Sequence, residues 1–284
     1  MNNILEQMLS KYEIKNIADE KNAIKEILQE LILASLAKSG FFKKAVFCGG
    51  TALRIFYGLN RFSEDLDFSL ETSEENFDIN EYISSVTESL KEYGITLEIQ
   101  KKESKSKVVS AFLKVNTIEQ LILFNTTFNI ISIRKDEKIK IKLEIDTNPP
   151  KGGIVEYKTA LVPEIYQVKI YNDESLFAGK LHSILCRFWD DRVKGRDLYD
   201  FIFYVSRKTK INIVFLENAM KQTGHLKDDE HLNLEIIKTK LKQKFNELDY
   251  TLAKQDVTSF IKNDKELELW SKELFISIVD MINY

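Results

Sequence analysis

The spacing of the apolar residues changes near residue 170, and this change limits the folds that the chain can adopt. Before it, strand-like runs alternate with helical ones, and the clearest alternation is KIKIKLEIDT at residues 138–147. After about residue 173, the long segments have apolar residues three and four apart, which is the spacing of amphipathic helices. We therefore predict an α+β protein, with an α/β domain and N-terminal helices in residues 1–170 and a helical bundle domain in residues 171–284.

The composition is that of an ordinary folded protein and excludes an overall basic surface. The 284 residues include 41 Lys and Arg against 44 Asp and Glu, so the net charge is −3 and nucleic acid would need a local basic patch. No apolar run has the length of a membrane span, and the first residues lack the apolar core of a signal peptide. Cys48 and Cys186 have no CxxC partner. We expect two reduced thiols in a cytoplasmic protein that does not span a membrane.

Two aspartates alternate with apolar residues in the segment EDLDFSL. Residues two apart on a strand point to the same face, so Asp65 and Asp67 present two carboxylates together. Adjacent carboxylates repel one another unless a cation lies between them, and hard oxygen ligands of this kind suit Mg²⁺. The alternative interpretation is a solvated strand edge.

A pair of glycines, Gly49 and Gly50, ends an apolar run and begins the short helical stretch before this strand. At a helix start, free N–H groups and the positive end of the dipole can hold phosphate oxygens, and glycine permits a close approach. A Gly-Gly pair alone is most often only a turn. The order strand, Gly-Gly, helix and acidic strand favours a phosphate site beside a metal site.

The whole segment CGGTALRIFYGLNRFSEDLDFSL resembles the first motif of nucleotidyltransferases with the DNA polymerase β fold. More narrowly it resembles the AbiE-type toxin branch, whose motif is GG-T/S-x-L-R followed by R-x-S-x-D-L/I-D-F. The matching residues are Gly49, Gly50, Thr51, Leu53, Arg54, Arg61, Ser63, Asp65, Asp67 and Phe68. The resemblance implies a polymerase β-like domain with a mixed sheet, catalytic metal ions on Asp65 and Asp67, and contacts from Gly50 and Thr51 to a nucleoside triphosphate.

A third carboxylate is expected for two-metal chemistry. Glu144 and Asp146 share one face of the strand predicted in KIKIKLEIDT, together with a row of lysines. The family's strand resembles K-I-E-I, which favours Glu144, while Asp146 remains the alternative. A merely charged strand edge would give the same pattern.

The second family-like segment is LFAGKLHSILCRFWDDRVKGRDLYDFIFY, residues 176–204. It resembles the family's later motif, K-L-x-A-x-x-x-R followed by R-D-x-x-D-L. The matching residues are Lys180, Leu181, Arg187, Arg196, Asp197 and Asp200, while Ser183 and Phe201 depart from the motif. A lysine can offset the charge of a triphosphate, and a nearby aspartate can orient it. The alternative is a set of intrahelical ion pairs, such as Arg196 with Asp200.

The resemblance implies an Mg²⁺-dependent nucleotidyltransferase, with two ions, that acts as the toxin of a type IV toxin–antitoxin or phage-defence system. Its partners would be a nucleoside triphosphate, a tRNA 3′ end as acceptor and a separately encoded antitoxin. Basic stretches at residues 101–107 and 192–196, including Arg192 and Lys194, are candidate tRNA contacts or solvated loops. The alternatives are transfer to a small molecule or a protein hydroxyl, or an interaction module with a decayed site.

These expectations define the predicted site. The predicted catalytic residues are Asp65, Asp67, Glu144 and Lys180. The predicted metal ligands are Asp65, Asp67, Glu144 and Asp146. The predicted nucleotide-binding residues are Gly49, Gly50, Thr51, Arg61, Ser63, Lys180, Arg187, Arg196, Asp197 and Asp200.

Overall fold

The computed structural model describes residues 3–102, 107–188 and 193–282. The α-helices are α1 (Asn3–Leu9), α2 (Ile17–Lys38), α3 (Gly49–Tyr57), α4 (Asn80–Glu92), α5 (Thr117–Leu123), α6 (Asp173–Cys186), α7 (Gly195–Ser206), α8 (Ile213–Gln222), α9 (Leu234–Asn246), α10 (Tyr250–Thr258) and α11 (Lys272–Asp280). The strands are β1 (Ala45–Cys48), β2 (Asp65–Leu70), β3 (Glu98–Lys102), β4 (Val108–Asn116), β5 (Lys138–Asp146), β6 (Val155–Ala160) and β7 (Tyr166–Tyr171). Two short 3-10 helices span Phe41–Lys43 and Asp264–Leu269. Within the described ranges, no helix is long and apolar enough to cross a membrane.

The seven strands form one mixed sheet in the order β3-β4-β5-β2-β1-β7-β6. The β3–β4, β4–β5 and β1–β2 pairs are antiparallel, whereas the β2–β5 and β1–β7 pairs are parallel. The predicted α+β class with a mixed sheet is therefore confirmed. No strand was predicted at β6 or β7, although residues 166–170 of β7, YQVKI, alternate apolar and polar residues as a strand does.

One face of the sheet is apolar and lies against helices. In β5 the apolar residues Ile139, Ile141, Leu143 and Ile145 are buried, while the intervening side chains are polar. Helix α2 contacts both β5 and α4, and Asn16 caps its first turn by accepting hydrogen bonds from two backbone N–H groups. This burial leaves the polar side chains of β5 on the opposite face, where the candidate site lies.

The described residues pack as two compact units, and each unit combines separate parts of the sequence. The first unit contains Met1–Ala52, Phe62–Pro149 and Tyr157–Ile170, and the second contains Leu53–Arg61, Pro150–Glu156 and Tyr171–Tyr284. The predicted domains, residues 1–170 and 171–284, stay a prediction, because packing units within one chain do not test which segments fold independently.

The second unit is largely helical and has an aromatic core. Phe177 stacks on Tyr204 with ring centroids 4.6 Å apart, and Phe201 lies 5.2 Å from Phe245. Helices α7 and α10 approach so closely at Gly195 that a β-carbon there would lie 1.8 Å from the carbonyl oxygen of Ala253. A glycine is therefore required at the first residue of α7, immediately before the second motif's Arg-Asp pair.

Candidate active site

The predicted aspartate pair lies at the beginning of β2, in the first unit. Leu66 and Phe68 are 0% and 2% exposed and belong to the core, whereas Asp65 and Asp67 are half-buried on the other face. The alternation of the sequence thus directs both carboxylates to one side of the sheet, as predicted.

The neighbouring strand β5 adds two more carboxylates to this face. Because β2 and β5 are parallel and in register, Asp67 lies beside Glu144 and Ser69 lies beside Asp146. Glu144 is thus the direct cross-strand neighbour of the pair, and Asp146 is one step further along the face. Both candidate third carboxylates lie on the predicted face, and the register favours Glu144.

The carboxylates of this face do not by themselves form a complete set of ligands for a metal ion. Among the described residues, no three acidic, His or Cys side chains are arranged to hold one metal ion. An Oε1 atom of Glu144 lies 2.6 Å from Nζ of Lys142, which is itself the cross-strand neighbour of Asp65. Glu144 would therefore have to exchange this lysine for a metal ion in order to join Asp65 and Asp67.

Gly49 lets helix α3 begin directly beside Asp67. Its φ of +75° lies in the left-handed region, and a β-carbon on it would lie 2.2 Å from Oδ2 of Asp67. Any other residue at this position would be strained and would displace the carboxylate. The N-terminus of α3, where phosphate binding was predicted for Gly49 and Gly50, is therefore adjacent to the acidic face.

Thr51 and Ser63 hold the segments on either side of this site. The Thr51 side chain is fully buried, and its hydroxyl donates a hydrogen bond to the carbonyl oxygen of Asp65. The carbonyl oxygen of Ser63 accepts a hydrogen bond of 3.1 Å from Nε2 of Gln29. Thr51 thus connects α3 to the first residue of β2, and its role towards a nucleotide stays a prediction.

A thiol lies among the carboxylates. Cys48, the cross-strand neighbour of Asp67, is a half-buried free cysteine. Burial raises the pKa of this thiol well above its usual value, and the negative charges of Asp67 and Asp146 raise it further. Burial also raises the pKa of Asp146. This carboxylate accepts a hydrogen bond from the backbone N–H of Asn148, which lowers its pKa but does not cancel the effect of burial. The crowding of negative charge is what a cation would relieve.

The second motif forms a compact charge network in the second unit. Five side chains are connected in the order Arg61, Asp200, Lys180, Asp197 and Arg187. The Arg61 guanidinium donates two hydrogen bonds of 2.7 Å to Asp200. Nζ of Lys180 lies 2.8 Å from Asp200 and 2.6 Å from Asp197, and Arg187 lies 2.5 Å from Asp197. Three cations thus share two carboxylates, which leaves one formal positive charge.

Burial and pairing decide the protonation states in this network. Burial lowers the pKa of Lys180, but Asp197 and Asp200 outweigh it and the net shift is upwards. Burial raises the pKa of Asp197, but Lys180 and Arg187 outweigh it and the net shift is downwards. Lys180 is therefore held as an ammonium group, with its side chain 13% exposed.

The residues of the second motif do not all lie on one face of one helix, because the motif spans the end of α6 and the start of α7. Helix α6 ends at Cys186, so Arg187 is in extended conformation and reaches Asp197 from beyond the helix. Arg196 lies beside Asp256, at 3.6 Å, with its guanidinium 4.2 Å from the Phe260 ring centroid. Asp200 pairs with Arg61 and Lys180. The alternative interpretation was an intrahelical ion pair between Asp200 and Arg196.

Sequence reasoning missed the partnership of Arg61 with Asp200, which are 139 residues apart. It also missed Asp256 and Phe260 as partners of Arg196, because α10 carries no recognisable motif. The motifs identify Arg61, Arg196 and Asp200 as family residues, but nothing in the sequence shows which side chains they contact. Arg192 and most of the basic stretch at 101–107 lie outside the described residues.

The sequence model described as "Nucleotidyl transferase AbiEii toxin, Type IV TA system" matches residues 31–272. The chain belongs to the AbiEii family. It is therefore a nucleotidyltransferase, and the toxin of a type IV toxin–antitoxin system with a separate antitoxin as its partner. The resemblance drawn from the two motifs is confirmed.

Solved structures share the fold. A putative nucleotidyltransferase from Helicobacter pylori has 23% identity and a TM-score of 0.50, with 94% of each chain covered. JHP933 from Helicobacter pylori has 22% identity and a TM-score of 0.50, with 95% of this chain and 91% of that chain covered. MenT4, a nucleotidyltransferase toxin from Mycobacterium tuberculosis, has 13% identity and a TM-score of 0.59, with 100% of this chain and 90% of that chain covered. No curated protein matches the chain.

Proposed function

We propose that this AbiEii-family enzyme transfers a nucleoside monophosphate from a nucleoside triphosphate to the 3′ end of tRNA, in an Mg²⁺-dependent reaction. The observation that carries the proposal is the acidic face of the first unit. There Asp67 lies in register with Glu144, on the face that also carries Asp65, beside the helix start at Gly49. A row of hard oxygen ligands next to a helix N-terminus suits a metal–triphosphate complex.

The carboxylates of this face are oxygen ligands of the type that Mg²⁺ prefers, and the negative charges of Asp67 and Asp146 beside the Cys48 thiol support a cation there. Asp65 and Asp67 would hold the ions, with Glu144 as the third ligand and Asp146 as its alternative. Bound Mg²⁺ would supply the positive charge that stabilises the α-phosphate and the leaving pyrophosphate.

The chain's own groups would position the reactants. The N–H groups of Gly50 and Thr51, at the start of α3, would donate to phosphate oxygens, and Ser63 would assist them. Lys180, which is held as an ammonium group, stays the predicted contact that offsets the triphosphate charge. The acceptor hydroxyl would attack the α-phosphate, forming the new oxygen–phosphorus bond as the bond to pyrophosphate breaks.

The tRNA acceptor rests on the resemblance rather than on the site geometry, because one fold can serve many acceptors. The second candidate is transfer to a small molecule or to a protein hydroxyl by the same carboxylates. In the tRNA case the enzyme would act in the cytoplasm, where tRNA and triphosphates are present, and growth arrest could serve phage defence.

A labelling experiment separates these acceptors. The purified protein is incubated with total RNA, Mg²⁺ and each labelled nucleoside triphosphate in turn, with the Asp65→Asn/Asp67→Asn variant as the blank. Label in the tRNA band, absent from the blank and abolished by chelation, supports the proposal. Label on protein or on small molecules instead contradicts the tRNA acceptor and leaves nucleotidyl transfer intact.

A further inference from the structure

The polar face of the sheet continues past the carboxylates along β5. From Asp146 backwards, the side chains on this face are Asp146, Glu144, Lys142, Lys140 and Lys138. The face is therefore divided by charge, with acids at one end of the strand and lysines at the other. Lys140 lies four residues from Glu144, which is about 13 Å at 3.3 Å per residue.

Two lysines face one another across the neighbouring strands. Lys114 of β4 is the direct cross-strand partner of Lys140 of β5. Like charges in this position destabilise a sheet, so the pair suits an anion that lies over both. Lys114 is 14% exposed and already has two partners: its Nζ donates a hydrogen bond of 2.5 Å to Oε1 of Gln100 and lies 3.5 Å from a carboxylate oxygen of the half-exposed Glu98. A phosphate over Lys114 would share or replace these contacts. Lys140 is exposed.

An aromatic ring lies between the lysines and the acids. Phe112 is in register with Lys142 on one side and with Gln100 on the other, so its ring lies on the polar face. It is only half-buried, whereas its neighbours along the strand, Ala111 and Leu113, are 0% and 1% exposed in the core. Phe112 therefore lies outside the apolar core of the sheet, with part of its side chain exposed on the polar face.

We infer that Phe112, Lys114 and Lys140, which we call the acceptor platform, bind a single-stranded nucleic-acid end on its way to the carboxylates. Phe112 stacks on a base, and the two lysines contact phosphates. An aromatic side chain with flanking cations on an exposed sheet face is a common means of holding unpaired nucleotides. The inference rests on the proposed function, and it adds the surface that recognises a polymer rather than a small acceptor.

The position of the platform favours a polymer. Its residues lie one after another along the sheet, at increasing distance from the acids. A nucleic-acid strand would be arranged in the same way if its terminal hydroxyl lay at the carboxylates and its preceding nucleotides lay over the platform. A nucleoside triphosphate is the competing occupant, because it carries phosphates and a base as well. The two occupants are distinguished by which substrate's KM responds when the platform is changed.

The first test reverses one charge. In Lys140→Glu, the KM for tRNA should rise about tenfold and the slope of log affinity against log salt should fall by about 1, since one phosphate contact is lost. The KM for the triphosphate and kcat at saturating tRNA should stay unchanged. The matched control is Lys91→Glu, which makes the same charge change on α4, a helix on the side of the sheet that carries the core.

The second test separates stacking from packing. Phe112→Ala should raise the KM for tRNA about tenfold, within the range measured for the loss of one stacked base. Phe112→Leu keeps an apolar side chain of similar volume but loses the aromatic face, and it should behave like the alanine variant. Phe112→Trp should restore binding. A leucine variant as good as the wild type would reduce Phe112 to a packing residue.

The outcomes separate this inference from the proposed function. If the wild type labels tRNA and neither Lys140→Glu nor Phe112→Ala changes the tRNA KM, the platform is wrong and the tRNA acceptor stands. If the KM for the triphosphate rises instead, these residues bind the nucleotide, and the inference that they bind the acceptor is also wrong. If the wild type labels no RNA, the proposed acceptor is wrong, and equilibrium binding of tRNA to the same variants then decides whether the surface binds RNA at all.

Discussion

The two units carry their charges in opposite ways. In the first unit, side chains of one sign are grouped on a half-exposed sheet face, with the acids at one end and the lysines at the other. In the second unit, cations and anions alternate in a buried network whose contacts are 2.5–2.8 Å long. Grouped like charges favour a ligand of opposite charge, whereas a buried network of both signs is already satisfied internally. The comparison therefore predicts that changes on the face affect activity, and that changes in the network affect stability as well.

The largest effect should come from the aspartate pair. Asp65→Asn with Asp67→Asn should lower nucleotide transfer by at least about 1,000-fold, the scale of losing a principal electrostatic contact in an active site. The melting temperature should not fall, because relief of like-charge repulsion offsets any lost contact. Transfer of label and thermal denaturation measure the two effects, and Asp136→Asn, an exposed acid of the same unit, is the control. Normal transfer by the double variant would remove the acids from the site.

The network should respond in the other way. Asp200→Asn removes the carboxylate shared by Arg61 and Lys180 and leaves two buried cations with one partner fewer. Such a change costs about 3–5 kcal/mol of unfolding free energy. Urea denaturation of this variant is compared with that of Asp228→Asn, an exposed acid of the same unit. A loss below about 0.5 kcal/mol would show that the network is not structural, and the comparison between the units would not hold.

Lys180 tests whether one residue combines both kinds of effect. Lys180→Ala should weaken triphosphate binding or turnover by about 1.5–3 kcal/mol, the value of a charge-assisted contact to phosphate. It should also lower stability, because Asp197 and Asp200 lose a buried partner. Lys221→Ala is the matched control, since Lys221 pairs with Glu217 in the same unit, is 17% exposed and lies outside the predicted nucleotide-binding residues. A loss of stability with unchanged triphosphate affinity would make Lys180 purely structural.

The smallest effect isolates the close approach at the start of α3. Gly49 and Gly58 both have positive φ, but only at Gly49 would a β-carbon meet Asp67; at Gly58 nothing lies within 4 Å. Gly58→Ala should cost about 1 kcal/mol from backbone strain alone. Gly49→Ala should cost more and should lower transfer as well, because it displaces the carboxylate. Equal stability losses with equal activities would contradict a steric role for Gly49.

The sequence by itself determined the class of fold and the face on which the acids lie. Alternation along a strand has a period of two, so the pattern EDLDFSL was enough to place Asp65 and Asp67 together and Leu66 in the core. The same reasoning placed Glu144 and Asp146 on one face of β5. Periodicity and motif spacing can be read from the sequence because they depend only on residues that are close together in the chain.

Only the tertiary structure decided which strands are neighbours and which charges pair. The parallel register that puts Glu144 beside Asp67, and the hydrogen bonds between Arg61 and Asp200, join residues 77 and 139 positions apart. Such contacts depend on the packing of the whole chain, and no local spacing in one sequence encodes them.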